Sequence, residues 1–446
     1  MRLPVVDLET LDYAVSTQLR SDYIYMYPPR QAYQPLGAET GALLDLKVQS
    51  LARGRLNIYV HIPFCRQICG FCNLYTTKDR DPVVQDLYVE AVRNQIRQYA
   101  KLVDSDVEIP TFYFGGGTPT ALSTDALNSI VTTARDHLNI TNTTELAIEA
   151  DPQTVDRNAL RRLGDSGFRR ISFGFQSRAM NEIKILGRKT TQECQDLSVE
   201  EALAAGFTNV CVDLIFGLPG QSSDSWVTSV QECIRLKPQT ICCYPLTSRP
   251  NTTFSRRHQT APDSMQSYML WDLADRMLRE AGYYRETHVR WSLDGGGYLQ
   301  KTLHWGMENV LGFGAGARSY TWQIDTRYGY SILNRDRPLA DYIYQVGENL
   351  PMQIDGVVMS AEERLRKAVV LGLFRLDFDA IGSATGLDPR DYFLPAFEGL
   401  ESRGYVRISD DALELTSAGS KYRDLIAQLF ISDTVRGSAE RYIYDV

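Results

Sequence analysis

The sequence predicts an α/β protein: a partial (β/α)6 barrel with an N-terminal arm and a C-terminal helical, winged-helix-like domain. Three observations predict it. From residue 57 to about 290, short β-branched and aromatic runs alternate with amphipathic helical stretches. Side chains capable of chemistry fall just after those runs, where the C-terminal strand ends of a β/α barrel gather its site. Beyond residue 360 the pattern changes to helices around one small hairpin.

Residues 1–56 read as an arm. Tyr23, Tyr25 and Tyr27 alternate ahead of Pro28, Pro29 and Arg30, which predicts an extended segment with one aromatic face. Two readings stand: packing against the main domain, or an arm over the mouth of a site that offers Tyr and Arg to a flat substrate.

Residues 57–290 read as the barrel. Strands are predicted at Asn57–Ile62, Thr111–Phe114, 145–150, Arg170–Phe173, Asn209–Ile215 and Thr240–Pro245. Helices are predicted at 81–103, 123–138, 156–166, 191–205, 223–236 and 263–281. Ser123 is placed to cap its helix, and Gly167, Gly206 and Gly282 are placed to end theirs. The rim then collects the cysteine loop at 65–72, GGGTPT at 115–120, Glu149, Gln176, Asp213, and Tyr244 to Thr247.

Residues 291–359 read as a connecting, substrate-covering region. DGGGY at 294–298 is predicted as a flexible loop. GFGAGARSY at 312–320 is glycine-rich, and close backbone packing explains it better than phosphate binding. In residues 360–446, SAEERLRKAVVLGLF forms an amphipathic helix and GYVRISDDALELTSAG a hairpin between helices. Ala361 to Val446 carries 15 Asp and Glu against 11 Lys and Arg. An acidic winged-helix-like tail suits a lid or docking role, not DNA binding.

The chain has 446 residues, 43% of them hydrophobic, and a net charge of −8. That is enough for a large core and the wrong sign for nucleic acid as main partner. No run reaches the roughly 18 apolar residues of a membrane helix. MRLPVVDLET lacks a secretory pattern, so the expected compartment is the cytoplasm, with reduced thiols.

Cys65, Cys69 and Cys72 make a C-x3-C-x2-C triplet on one loop. Three thiolates suit a [4Fe–4S] cluster with one iron left open, which the amino and carboxylate groups of S-adenosylmethionine (SAM) can chelate. The alternatives are a zinc site with His61 as fourth ligand, or chance grouping of three among eight cysteines. GGGTPT lacks a P-loop lysine, so its glycines are read as giving SAM close access to the backbone. Glu149 and Asp213 suit ribose hydroxyls or a sulfonium, and Arg188 a carboxylate. A structural ion-pair network among these three is the plainer reading. Cys194, Cys211, Cys233, Cys242 and Cys243 lack ligand spacing and read as small buried apolar residues, and His304 as a structural histidine.

YVHIPFCRQICGFC, FGGGTPT, IEADP, ISFGFQS, VDLIFGLPGQ and LGFGAGARSY together resemble the radical SAM superfamily, in its oxygen-independent coproporphyrinogen III oxidase-like (HemN-like) branch. The resemblance runs from about residue 20 to the C-terminus. It implies a partial (β/α)6 barrel under a C-terminal helical domain, a cluster on Cys65, Cys69 and Cys72, and two SAM molecules. One SAM would contact Tyr59, Gly116 and Glu149. The second would contact Phe71, Gly117, Thr118, Gln176, Arg188 and Asp213, with Gln176 and Arg188 also catalytic. Thr247 and Arg318 are further implied contacts.

The coproporphyrinogen oxidases carry another cysteine two residues after the third ligand, where this chain has Leu74. That departure argues against the haem-pathway decarboxylase and is shared by haem chaperone-like proteins, haem-opening methyltransferases and the branch's class C methyltransferases, of which the last give two SAM molecules a chemical purpose. The implied activity is C-methylation or cyclopropanation at an sp2 carbon of an aromatic or unsaturated natural product. The resemblance implies a flavodoxin or ferredoxin as electron donor and a partner methyltransferase as a further protein of the pathway. The alternatives are a tetrapyrrole enzyme, coproporphyrinogen III dehydrogenase-like or a haem-opening methyltransferase, and a haem chaperone-like binding protein.

Overall fold

Thirteen strands form one sheet in the computed structural model, which describes residues 5–247, 249, 252–256, 264–329 and 336–441. Residue 263 of the expected 263–281 helix and residues 442–446 of the tail lie outside those residues. In chain order the strands are β1 (Gln34–Ala38), β2 (Leu56–Ile62), β3 (Thr111–Gly116), β4 (Glu145–Ala150), β5 (Phe168–Gln176), β6 (Asn209–Phe216) and β7 (Thr240–Pro245). Then come β8 (Tyr284–Thr287), β9 (Arg290–Ser292), β10 (Asn309–Phe313), β11 (Arg318–Tyr320), β12 (Ile324–Tyr328) and β13 (Gln353–Val358). Their spatial order is β1-β13-β12-β11-β10-β2-β3-β4-β5-β6-β7-β9-β8.

The run from β2 to β7 is parallel throughout, which is the partial barrel that the strand–helix alternation predicts. Helices Pro82–Ala100, Thr124–His137, Arg157–Asp165, Gln192–Ala204, Ser223–Leu236 and Ser264–Glu280 cover its outer face. Their starts follow capping chemistry: Asp81, Ser123, Asp156, Thr191 and Ser222 each accept a backbone N–H from the first turn. Short Met180–Ile185 is a further helix that the periodicity does not reveal.

Two differences matter for the rim. β5 does not end at Phe173 but runs through a bulge between Gly174 and Gln176, which leaves Gln176 at φ 67. The segment 309–328 joins the sheet, with β10 parallel to β2 and β11 turning back antiparallel. Its glycines serve packing: a Cβ on Gly312 would lie 2.2 Å from the Arg318 carbonyl, and one on Gly314 2.5 Å from Tyr88 Oη. The DGGGY loop, read as flexible, is pinned. Gly297 N–H donates to Thr240 Oγ1 at 2.7 Å, and its carbonyl accepts from Arg170 and Asn209.

The tail folds as helices Ala361–Gly372, Phe378–Thr385 and Pro389–Ser402 around a small sheet of β14 (Arg375–Asp377), β15 (Val406–Ile408) and β16 (Ala412–Leu415), in order β14-β16-β15. Arm residues Leu11, Ile24 and Tyr27 share a core with Leu365, Phe397 and Phe430 of this tail. Fully buried Arg423 ties the two, donating to the Ile24 carbonyl at 2.7 Å. Lys367 reaches Asp325 of β12 at 2.8 Å, so the tail is locked to the sheet as well as to the arm.

Candidate functional site

The cysteine loop leaves β2 at the rim and is closed at its base. Thr77 N–H donates to the Pro63 carbonyl at 2.8 Å, and Cys65 N–H to the Thr77 carbonyl at 2.9 Å. Its tip is held from two sides: Gly70 N–H donates to the Leu186 carbonyl, and Phe254 N–H to that of Gly70, each at 3.0 Å. Thr118 Oγ1 stands 3.5 Å from Cys65 Sγ, and Arg188 Nη1 3.5 Å from Cys69 Sγ. Burial pushes the Cys65 thiol up to about 11. It therefore keeps its proton until a metal takes the proton's place.

The donor set fits a cluster and not a lone zinc ion. Three free thiols on one loop suit a cluster with one open iron, whereas a structural zinc ion needs a fourth protein ligand, for which the sequence offers His61. His61 is already engaged. Nε2 meets the Tyr75 carbonyl at 2.9 Å and Nδ1 meets Tyr59 Oη at 3.2 Å, while burial lowers its pKa to about 4. A neutral imidazole that donates from Nε2 and accepts at Nδ1 satisfies both contacts, and no lone pair is left for zinc.

Beside the loop a cavity of about 490 Å³ opens over the strand ends. Of the residues singled out in the sequence, it is lined by Tyr59, Phe71, Cys72, Leu74, Gly116, Glu149, Gln176, Asp213, Thr247, His304 and Arg318. Cys65, Cys69, Gly117, Thr118 and Arg188 are not among its lining residues; Thr118 and Arg188 instead reach Cys65 and Cys69 of the cluster loop. The glycine run is shaped by its neighbours. A Cβ on Gly116, at φ +110, would lie 2.6 Å from the His61 ring, and one on Gly117 2.7 Å from the Pro63 carbonyl.

The ion-pair network read among Glu149, Arg188 and Asp213 does not form. Arg188 pairs with Asp151, the carboxylate that follows β4. Glu149 accepts from Gly116 N–H and Tyr113 Oη, both at 3.1 Å, and Asp213 accepts from Ser172 Oγ at 2.8 Å. Burial, and then Asp213, raise Glu149 to about 7. The two carboxyls thus form a half-buried acidic pair, whose charge the buried Arg170 guanidinium offsets only in part.

Across the cavity the charge reverses. Lys301 Nζ donates to the Tyr25 carbonyl at 2.8 Å, and Arg318 Nη1 to Tyr25 Oη at 3.1 Å. Burial opposes ionisation of Tyr25, but Arg318 and Arg249 overcome it and bring the phenol down to about 8. Tyr23, Tyr25, Tyr244, Tyr298 and Tyr320 give aromatic walls. The arm packs against the main body, with Tyr23 and Tyr25 facing the cavity, while Tyr27 leaves the aromatic row and donates to Glu363 at 2.7 Å. His304 lies 4.4 Å ring to ring from Tyr320, buried, with neither ring nitrogen hydrogen-bonded. Lys301 and Arg249 carry no sequence signal, and Tyr298 is visible only as the end of the DGGGY loop. An isolated Lys after a glycine loop reads as surface until the fold is known.

A closed three-thiolate loop at the mouth of a parallel partial barrel defines a class, the barrel enzymes that hold an open iron–sulfur cluster. The profile of the Radical SAM superfamily matches residues 59–233. A heme chaperone HemW of Mycobacterium tuberculosis (strain CDC 1551 / Oshkosh) is 30% identical over 269 residues, 59% of this chain and 69% of that protein. An oxygen-independent coproporphyrinogen III oxidase of Pseudomonas aeruginosa is 29% identical over 401 residues, 84% of this chain and 85% of that one. The solved coproporphyrinogen III oxidase (HemN) of Escherichia coli superposes with a TM-score of 0.78 at 23% identity, over 96% of this chain and 99% of that one. The chain belongs to the radical SAM superfamily, in its HemN-like branch. It is a radical SAM enzyme of the HemN/HemW type, and its cofactors are a [4Fe–4S] cluster and SAM. These relatives turn the reading away from a natural-product methyltransferase and towards the tetrapyrrole and haem alternatives.

Proposed function

We propose that this enzyme acts on a flat, conjugated, carboxylate-bearing molecule of the tetrapyrrole kind. One observation carries the reading: the cavity is bipolar, with Glu149 and Asp213 on the strand ends and Lys301, Arg318 and Arg249 around Tyr25 of the arm. SAM carries a sulfonium and an amino group, which suit the carboxylate side. A planar substrate with carboxylates suits the cationic side, its ring system against Tyr23, Tyr244 and Tyr320. The tetrapyrrole relatives favour the same substrate class.

In this reading Cys65, Cys69 and Cys72 hold the cluster. Tyr59, Gly116 and Glu149 hold one SAM, and Phe71, Gln176 and Asp213 face a second, with Gly117, Thr118 and Arg188 beside the cluster loop. When bound, cluster and SAM supply a 5′-deoxyadenosyl radical by one-electron cleavage of the sulfonium. Arg188 keeps Cys69 and Asp151 in register, and the arm and tail, locked to each other, hold Tyr23 and Tyr25 over the cavity. Arg318, which the resemblance gives to SAM, is assigned here to a substrate carboxylate.

The test is anaerobic reconstitution, reduction, and incubation with coproporphyrinogen III or haem as probes. Binding of either, with more 5′-deoxyadenosine than without it, is the expected result. If neither binds, the reading is wrong. Leu74 favours a second reading of the reaction itself. It lines the cavity where the oxidases have their extra cysteine, so methyl transfer from the second SAM to an sp2 ring carbon stands beside oxidation. SAM bearing a CD3 group separates the two: deuterium in 5′-deoxyadenosine marks methyl transfer, and unlabelled product marks hydrogen abstraction from substrate.

A further inference from the structure

Away from the cluster loop, the barrel interior holds a second set of soft ligands. Cys211 and Asp213 project from the same face of β6, and Cys242 stands opposite Asp213 on β7. The sulfurs of Cys211 and Cys242 are 3.7 Å apart, and Cys211 Sγ is 3.7 Å from Asp213 Oδ1. All three ligand atoms lie within 4.8 Å of one another. In a tetrahedral zinc site with Zn–S bonds of about 2.3 Å, two sulfurs stand roughly 3.8 Å apart. The two thiols are therefore already at ligand spacing.

We propose that Cys211, Cys242 and Asp213 bind one thiophilic divalent cation, with zinc the best chemical match, in the wall of the cavity. Both cysteines are buried, but Asp213 lines the cavity, which gives the ion an entry path and an open fourth position. Binding releases the two thiol protons. Two thiolates and a carboxylate against a divalent ion leave one negative charge, and the buried Arg170 guanidinium beside Cys211 offsets it. The site needs nothing from the SAM assignment. An ion there takes Asp213 Oδ1, and so competes with any cationic ligand of that carboxylate.

The test uses the reconstituted holoenzyme, equilibrated anaerobically with zinc chloride under reducing conditions and dialysed, with metals counted by plasma mass spectrometry. Wild-type protein is expected to keep about one zinc beside roughly four irons, and C211S/C242S to keep the iron without the zinc. No zinc in the wild type, or equal zinc in both, overturns the proposal. Cobalt(II) gives a reading independent of that variant. Added to Cys65→Ala/Cys69→Ala/Cys72→Ala, which lacks the cluster thiolates, it is expected to show a thiolate-to-cobalt charge-transfer band. The absence of that band also overturns the site.

Discussion

Glu149 and Asp213 stand two strands apart at the C-terminal rim, and the charge of Asp213 opposes ionisation of Glu149. Burial comes first and Asp213 second in lifting Glu149 from an ordinary 4.5 to about 7. The stability consequence has a definite sign. Below pH about 4.5 Glu149 is protonated both folded and unfolded, and contributes nothing. As pH rises the unfolded chain ionises first, so folding becomes less favourable until pH about 7, where the cost levels off at no more than about 3 kcal/mol. Glu149→Gln is therefore expected to stabilise the cofactor-free chain at pH 8 and to make no difference at pH 4. Denaturant titrations at the two pH values check this, and a pH-independent gain would count against it.

Lys301 gives the cavity a titratable cation. Burial first, then Arg290, Arg423 and Arg318, lower its pKa to about 7. It is charged below that value and neutral above it. Affinity for a carboxylated probe is expected to fall as pH rises from 6 to 8, when the probe's own carboxylates are already ionised. Lys301→Met should lose about tenfold or more in affinity at pH 6 and flatten the profile. Fluorescence titration with coproporphyrin reads both, and an unchanged slope in the variant would remove Lys301 from the substrate side.

The cluster loop tests separately from the cavity. Cys69→Ala is expected to leave the chain nearly free of iron after reconstitution, which iron analysis and the loss of brown colour report. Arg188→Lys should retain iron but form 5′-deoxyadenosine at least about tenfold more slowly. A lysine offers one point charge where the guanidinium spans Cys69 and Asp151. Wild-type rates in Arg188→Lys would mean that Arg188 only props the loop.

Gly117 is a packing position. Its Cβ would meet the Pro63 carbonyl oxygen at 2.7 Å and the Ile62 carbonyl oxygen at 2.9 Å, while its N–H already donates to Ile62 at 2.8 Å. Gly117→Ala must push apart backbone that begins the cysteine loop. A loss of about 1–3 kcal/mol in stability, with reduced iron retention, is expected. Thermal unfolding and iron content measure the two effects.

Much of this was legible in the chain. The six parallel strands, their capped helices and the hairpin in the tail follow local periodicity and capping, and both act over a few residues. Residues 309–328 were not legible, because β10 and β11 are short and gain their partners only when β10 lies beside β2. The end of β5 is hidden from the sequence for a similar reason: a bulge beside β6 carries the strand past Phe173 to Gln176.

The sequence by itself determined the parallel barrel, the three-cysteine loop and the acidic ends of β4 and β6. Their signals are spacings within single elements, set by covalent geometry and helix or strand period. Only the tertiary structure decided who meets whom. It set Lys301 and Arg318 on Tyr25, gave Arg188 to Asp151, occupied both nitrogens of His61, and brought Cys211 within 3.7 Å of Cys242. Those encounters depend on strand register and on how arm, barrel and tail close over one another. That closure is won by burying apolar surface across long stretches of chain, and no local pattern records it.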